Sequence, residues 1–127
     1  MIDTRIGKSP SAPSSMKILV VEDEAIVSLL LEDMLLDLGY GDVWVASDVE
    51  SALGLLASKR PDVAVLDVNL GGESAYPVAE QLAAMKIPFV FATGYGRFGI
   101  DGPWAAHPVI QKPYDIKALQ AVIGSVL

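Results

Sequence analysis

The sequence predicts an α/β protein built on a doubly wound, five-stranded parallel sheet, and three observations point to this class. Short apolar segments alternate five times with segments of helical spacing. The links between them are short, which favours βαβ crossovers and therefore parallel strands. The central segment, residues 63–66, is apolar at every position, as expected of a strand that helices cover on both faces.

Length and composition describe one globular domain. The chain has 127 residues, of which 52% are hydrophobic and 20% are charged, and this length suits a single core. Residues 1–15 are rich in Ser and Pro and are expected to form a flexible leader, followed by one domain at 16–127. No apolar run reaches the roughly 18 residues of a membrane span. The N-terminus also lacks a signal-peptide core, so we expect a cytoplasmic protein with no membrane partner.

Charge and cysteine content exclude several classes of function. The net charge of -7 argues against direct binding of nucleic acid, which needs a basic face. The chain has no cysteine. Disulfides, thiolate nucleophiles and cysteine zinc sites are therefore excluded, and the composition fits a reducing compartment.

The first strand and helix are clear in the sequence. Residues 17–21 (KILVV) form a compact apolar strand, and three acids follow directly at 22–24. Residues 25–38 have helical spacing and stop at Gly39. Glycine suits the end of a helix because it adopts a left-handed backbone conformation without strain.

Apolar residues form two stripes on this helix when it is projected at about 100° per residue. Ile26, Leu29 and Leu36 form the narrower stripe, between polar positions. It is either part of a helix that is unusually buried, or a set of scattered exposed residues, or a docking face for a partner. The broader stripe is expected to face the sheet and consists of Val27, Leu30, Leu31, Met34, Leu35 and Leu38.

The second strand and helix lead to the centre of the sheet. Residues 42–46 (DVWVA) alternate as a half-buried strand does. Residues 48–59 place apolar residues on one helical face, with Ser47 or Asp48 as the N-cap. The central strand then stops at a carboxylate, Asp67.

The C-terminal half continues the alternation less regularly. The segment 94–111 holds four glycines and two prolines. Because both residue types disfavour helix, the helix expected before the last strand is predicted to be short, irregular or mobile. The remaining predicted elements are a helix at 73–86, a strand at 87–92, a short strand at 109–110 and a helix at 115–126 with Asp115 as its cap.

Polar side chains follow four of the five predicted strands. Glu22 and Asp23 follow the first strand, Asp67 the third, Thr93 the fourth and Lys112 the fifth. Because the carboxyl ends of parallel strands share one edge of a sheet, these side chains are expected to meet in one crevice. Each residue alone would more often be a solvated loop residue or a helix cap, so the prediction depends on their conjunction.

This set of residues suits phosphoryl chemistry. Three carboxylates without sulfur or paired histidines favour a hard cation, Mg²⁺ over Zn²⁺. Lys112 supplies a positive charge and Thr93 a hydroxyl, while one carboxylate attacks phosphorus. Without metal the acids repel one another. We therefore expect a raised pKa for at least one of them, and a cost in stability.

Four motifs, ILVVEDE, VLDVNL, FATG and QKPY, make residues 16–127 resemble a response-regulator receiver domain of two-component signalling. The resemblance implies a flavodoxin-like fold with strand order 2-1-3-4-5. It implies that Asp67 accepts a phosphoryl group from a histidine kinase, a phosphotransfer protein or a small phosphodonor. Proteins of this family are not enzymes in the ordinary sense, but phosphoacceptors that promote their own phosphorylation and dephosphorylation.

The resemblance also implies roles for the other site residues. Asp23 and Asp67 would ligate Mg²⁺ directly, Glu22 would act through water, and the backbone carbonyl of Asn69 would complete the protein ligands. In receivers, the lysine of the QKPY motif pairs with the phosphoryl group, and the threonine of FATG hydrogen-bonds to it and moves on activation. These roles fall on Lys112 and Thr93.

The stretch FATGYG is similar to the FATGUY subgroup of receivers, which implies a kinase partner of the HWE type. Two departures limit the match. Tyr95 and Gly96 stand where that motif has a variable residue and then tyrosine, and Val109 stands where many receivers carry an aromatic switch. We therefore expect the glycine-rich segment 94–102 to be the part that moves on phosphorylation.

The resulting hypothesis is a single-domain response regulator whose output is a protein contact, or which serves as a phosphate sink. Ile26, Leu29 and Leu36 are the expected docking face for a kinase or phosphotransfer protein. One alternative is a receiver-like binding scaffold that is never phosphorylated. Another is an aspartyl-nucleophile phosphatase, which would need a second Asp where this chain has Asn69. His107, the only histidine, is interpreted as a loop residue and not as a base or ligand.

Overall fold

The computed structural model of the chain describes residues 15–94, 100, 102–104 and 106–127. In chain order the described elements are β1 (Lys17–Val21), α1 (Ala25–Asp37), β2 (Asp42–Ala46), α2 (Val49–Ser58), β3 (Val63–Asp67), β4 (Asn69–Leu70), β5 (Glu73–Ser74), α3 (Tyr76–Ala84), β6 (Phe89–Thr93), a 3-10 turn (Gly102–Trp104), β7 (Val109–Gln111) and α4 (Ile116–Val126).

The main sheet has five strands in the order β2-β1-β3-β6-β7, and every neighbouring pair is parallel. This is the predicted order 2-1-3-4-5, because β4 and β5 form a separate two-stranded antiparallel hairpin. The predicted flavodoxin-like architecture is therefore confirmed. The carboxyl ends of β1 and β3 lie side by side at the middle of the sheet, where the strand order reverses and α/β proteins bind ligands.

The helices cover both faces of the sheet and enclose two cores. The first core lies under α2 and α3, and the second lies under α1 and α4. Side chains of β3 alternate between them, so that Ala64 and Leu66 belong to the first core and Val63 and Val65 to the second. All five residues of β3 are buried, as its continuous apolar sequence predicts.

Two aspartates cap helices at the predicted positions. The Asp48 carboxylate accepts a hydrogen bond of 2.7 Å from the Ser51 backbone N–H at the start of α2. Hydrogen bonds from the side chain and backbone of Ser51 lower the pKa of Asp48. The Asp115 carboxylate accepts a hydrogen bond of 3.0 Å from the Ala118 N–H at the start of α4. Each cap satisfies a backbone donor that a helix cannot satisfy internally.

The prediction of one helix over residues 73–86 is wrong at its start. Glu73 and Ser74 form β5, and the helix α3 begins only at Tyr76. The reason lies in the turn before it, where Gly71 and Gly72 have φ values of 63° and 90°. Backbone of this kind reverses the chain into a hairpin before a helix can start.

The prediction that Leu30 faces the sheet is also wrong, because 47% of Leu30 is exposed. The buried face of α1 is centred on Leu31 and Leu35, which are both fully buried. Leu30 lies about 100° around the helix from Leu31, at the flank of that face. Apolar residues surround most of α1, so their spacing alone could not define the edge of the buried stripe.

Several sequence predictions fall outside the described residues. They are the leader at 1–15, except for Ser15, and most of the segment 94–102 that was expected to move. In the described part of the chain between β6 and β7, helical structure consists of the 3-10 turn at Gly102–Trp104, in line with a short, irregular helix. None of the helices in the described ranges has the length and apolar character of a membrane span.

Candidate functional site

The polar residues that follow the strands meet at the carboxyl edge of the sheet. The parallel register pairs Val21 with Leu66 and therefore places the acids after β1 beside Asp67 at the end of β3. Carboxylate oxygens of Glu22, Asp23 and Asp67 all lie within 4.8 Å of one another. The sequence prediction that these acids converge agrees with the structure.

Lys112 links two of these carboxylates. Its Nζ lies 2.8 Å from Oε1 of Glu22 and 2.9 Å from Oδ2 of Asp67. Burial tends to lower the pKa of this lysine, but the hydrogen bonds and charges of Glu22 and Asp67 outweigh burial and raise it. The ammonium group is therefore held positively charged between the two acids.

Glu22 is the buried member of the acid cluster, with only 2% of its surface exposed. Its Oε2 accepts a hydrogen bond of 3.2 Å from the Glu24 N–H. Burial, together with the weaker effect of the charge of Asp67, raises the pKa of Glu22 to about 7, although the hydrogen bond from Lys112 opposes this. A raised pKa in the cluster was expected, but its main cause is desolvation and not repulsion between acids.

A cavity of about 660 Å³ opens above the acid cluster. Asp67 and Thr93 contribute to its wall although both residues are largely buried, with 6% and 4% of their surface exposed. The backbone N–H of Lys112 donates a hydrogen bond of 2.9 Å to the Thr93 carbonyl, which fixes these two residues side by side. The cavity is lined by Asp23, Glu24, Asp67, Val68, Asn69, Gly71, Gly72, Thr93, Gly94 and Lys112.

Asn69 orients Asp67 from the start of the hairpin. Its backbone N–H donates a hydrogen bond of 3.2 Å to Oδ1 of Asp67, while Lys112 holds Oδ2. The amide oxygen of Asn69 accepts a hydrogen bond of 2.8 Å from the Gly72 N–H, which closes the hairpin turn. The two oxygens of Asp67 therefore have different partners, and both partners come from the wall of the cavity.

The donor set of this site fits a hard divalent cation. It offers carboxylate oxygens, which Mg²⁺ prefers, and it offers no sulfur. Gly71 also makes room beside these acids, since a Cβ atom at this position would lie 3.4 Å from Oδ2 of Asp23. Asp23 is exposed to the cavity, whereas Glu22 lies beneath it.

Sequence reasoning missed part of this site. The pairing of Glu22 with Lys112 was not predicted, because nothing in the local sequence shows which of two adjacent acids is buried. Glu24, Val68 and Gly94 were not assigned to the cavity wall either. The Gly71-Gly72 pair was a usable signal, because two glycines directly after a strand that ends in a carboxylate indicate a tight turn over that carboxylate.

The residues of the predicted docking face are exposed on α1. Ile26 is 84% exposed, Leu29 60% and Leu36 47%. Leu30, at 47%, joins them, and we call these four residues the α1 patch. Helix α1 begins at Ala25, directly after the acids that follow β1, so the patch starts beside the cavity. A docking role for it stays a prediction.

Comparison with known proteins agrees with this geometry. The model of the response regulator receiver domain family matches residues 18–124. A probable transcriptional regulator, ycf27 of Guillardia theta, is 35% identical over 115 residues, which are 87% of this chain and 45% of that protein. This chain therefore spans about half the length of that curated relative.

Solved structures show the same similarity. SdrG from Sphingomonas melonis Fr1 is 40% identical with a TM-score of 0.79, over 89% of this chain and 97% of that one. The BeF3-activated conformation of SdrG, from Pseudomonas melonis Fr1, is 42% identical with a TM-score of 0.77, over 92% and 98%. The receiver domain of PhyR from Erythrobacter litoralis is 26% identical with a TM-score of 0.76, over 88% and 89%. The chain belongs to the response-regulator receiver family of two-component signalling.

Proposed function

We propose that Asp67 accepts a phosphoryl group and that its phosphorylation controls a protein contact. One observation carries the proposal: Lys112 Nζ lies 2.9 Å from Oδ2 of Asp67 at the wall of an open cavity. A lysine held at this place neutralises charge on an incoming phosphoryl group, and the cavity gives the group access to the carboxylate.

The transfer is a nucleophilic substitution at phosphorus. An oxygen of Asp67 forms a bond to phosphorus while the bond from phosphorus to the donor breaks. The departing electron pair goes to a histidine nitrogen of a kinase or phosphotransfer protein, or to an oxygen of a small phosphodonor. Asn69 and Lys112 each hold one oxygen of Asp67, so the carboxylate is oriented before the donor arrives.

The product places negative charge beyond Asp67, in the cavity. Lys112 then interacts with the phosphoryl oxygens, because the Asp67 side chain has become an uncharged acyl group and the negative charge lies on the phosphoryl group. Thr93, on the same wall, supplies a hydroxyl hydrogen bond to the phosphoryl oxygens. Glu22 then loses part of its interaction with Lys112, so the transfer changes the contacts of a buried group as well as those of the cavity.

The acids of the site would hold Mg²⁺. Asp23 and Asp67 would be its carboxylate ligands, the Asn69 carbonyl a third ligand, and Glu22 would act through water. When bound, the ion would neutralise phosphoryl oxygens during the transfer. The support is the convergence of three carboxylates within 4.8 Å and the room that Gly71 leaves beside Asp23.

The partner is proposed to be a histidine kinase or a phosphotransfer protein that docks on the α1 patch. Support comes from the exposed apolar side chains that begin directly after the acids. A kinase of the HWE type, a role as phosphate sink, a cytoplasmic location and a single-domain organisation are further hypotheses. The last of these is compatible with SdrG, since 97% of that chain is matched.

Labelling by a phosphodonor tests the proposal. Wild-type protein incubated with a small phosphodonor and Mg²⁺ should gain one phosphoryl group by intact mass, and Asp67→Asn should gain none. Asp42→Asn, which changes an exposed acid at the start of β2, is the matched control and should be labelled like the wild type. An unlabelled wild type would instead favour the binding scaffold that is never phosphorylated.

A further inference from the structure

Four rings beside β6 contact one another in every pairing. They belong to Phe89, Phe91, Trp104 and His107, and we call them the ring cluster. Phe89 stacks on His107 with ring centroids 4.2 Å apart and an interplanar angle of 22°. The other pairs meet edge to face at centroid distances from 5.4 to 6.1 Å. Two rings from β6 and two from the turn that precedes β7 thus form one packed unit.

A hydrogen bond of His107 fixes this turn on β6. The register pairs Phe91 with Val109, and the Phe91 N–H donates to the Pro108 carbonyl at 3.0 Å. One step earlier in a parallel ladder, the backbone nitrogen of residue 108 would donate to the Phe89 carbonyl, but proline has no N–H. Nε2 of His107 lies 2.7 Å from that carbonyl. A carbonyl only accepts, so the imidazole replaces the missing backbone donor.

The ring cluster joins the two strands that carry half of the phosphorylation site. Phe91 and Thr93 are two residues apart on β6 and therefore point to the same face of the sheet. Strand β7 runs from the cluster to Lys112, whose N–H is bonded to the Thr93 carbonyl at 2.9 Å. Thr93 and Lys112 are therefore each connected to the ring cluster by one short strand.

We propose that the ring cluster relays the state of Asp67 to the turn that carries Trp104 and His107. The inference rests on the proposed function, since phosphorylation is its input. At Val109, where many receivers carry an aromatic switch, this chain has no ring, but Val109 packs against the core that contains Phe89 and Phe91. The rings beside Val109 come instead from the preceding turn, which carries Trp104 and His107. Phosphorylation of Asp67 would change the surface of this turn, and a partner would bind that surface in only one of the two states.

Tryptophan fluorescence tests the relay, because the chain has two tryptophans, one in the ring cluster and one on the edge strand β2. Trp44→Phe leaves Trp104 as the reporter of the ring cluster. Trp104→Phe leaves Trp44, on β2 beneath Lys59, as the matched control. Each variant is titrated with beryllofluoride and Mg²⁺, and occupancy of the site is followed independently by fluorine NMR, with Asp67→Asn as a blank.

The relay predicts that Trp104 emission shifts in step with beryllofluoride occupancy while Trp44 emission stays constant. Bound beryllofluoride with unchanged Trp104 emission, or an equal response of both tryptophans, would overturn the relay and leave the proposed function intact. Absence of binding would overturn the proposed function and the relay with it.

A second variant tests the hydrogen bond separately. His107→Phe, made in the Trp44→Phe protein, keeps an aromatic ring stacked against Phe89 but removes the hydrogen-bond donor to the Phe89 carbonyl. We expect beryllofluoride still to bind and the emission shift of Trp104 to be reduced. An unaltered shift at full occupancy would show that His107 has no positioning role in the relay.

Discussion

The two halves of the carboxyl edge of the sheet are built differently. At the ends of β1 and β3, Asp23 and Asp67 face a cavity, and Glu22 is buried beneath it. At β6 and β7, Thr93 and Lys112 stand at the ends of strands that begin at the ring cluster. The first half is arranged to hold charge and the second to transmit a displacement. Lys112 connects them, because its side chain reaches back to Glu22 and Asp67.

Removing Lys112, which connects the two halves, should have the largest effect on stability. Lys112→Ala leaves the buried carboxylate of Glu22 without its cation. Loss of one partner of a buried pair costs roughly 3–5 kcal/mol, and the partial exposure of Lys112 and protonation of Glu22 reduce this to about 2–3 kcal/mol at pH 8. Urea denaturation measures the free energy of unfolding. The exposed Lys117→Ala is the control, and equal stability of both variants would contradict the pairing.

The next largest effect is the dependence of stability on pH that arises from the acid half, by which we mean the carboxyl ends of β1 and β3 with Glu22, Asp23 and Asp67. Burial raises the pKa of Glu22 from 4.5 to about 7 in the folded state, so the folded protein binds more protons than the unfolded chain between these values. Stability of the metal-free protein should therefore fall as pH rises from about 4.5 to 7, by about 1–3 kcal/mol. Glu22→Gln should lack this component. The difference between the two denaturation profiles isolates it, and parallel profiles would contradict it.

Magnesium should stabilise the acid half without touching the ring cluster. Binding at ten times the dissociation constant contributes about 1.4 kcal/mol to the free energy of unfolding, which appears as a rise in melting temperature. Asp23→Asn should reduce the rise strongly, whereas the exposed Asp33→Asn should not. NaCl of equal ionic strength controls for screening. A melting temperature that does not respond to saturating Mg²⁺ would be inconsistent with the metal site.

Substitutions in the α1 patch should have the smallest effect. They should slow phosphoryl transfer from a protein donor but not from a small phosphodonor. Ile26→Ser with Leu29→Ser removes apolar contact area, and loss of roughly 1 kcal/mol of docking energy slows transfer from the cognate kinase about fivefold. The rate with a small phosphodonor should stay unchanged, because the cavity is intact. Leu127→Ser changes an exposed leucine elsewhere and serves as control. Equal slowing with both donors would point to damage at the site instead.

The acid half could be predicted from sequence because its signals are local. Each acid follows an apolar segment, and the parallel topology alone brings Asp67 beside Glu22 and Asp23. The β4–β5 hairpin could not be predicted in the same way, because residues 73–86 have helical composition and two glycines override it. The exposure of Leu30 could not be predicted either, because apolar residues occupy most of the circumference of α1 and their spacing does not define the buried face.

The ring cluster could not be predicted because its members meet only in three dimensions. Phe89 and His107 are separated by 18 residues, and no periodic pattern connects a strand to an irregular turn. His107 was interpreted as a loop residue, which agrees with its position but misses its contact with Phe89. The signal that was available is Pro108, since a proline beside a strand leaves a carbonyl in need of another donor.

The shared lysine has a consequence for the ionic balance of the protein. When ionised, Glu22, Asp23 and Asp67 carry three negative charges against the single positive charge of Lys112, and the surplus equals the charge of one divalent cation. One Mg²⁺ ion would therefore balance the charges of these four side chains, whereas one monovalent cation would not. In the proposed transfer, an anionic phosphodonor would meet less repulsion once that ion is bound, so the rate of phosphorylation should rise with the concentration of free Mg²⁺.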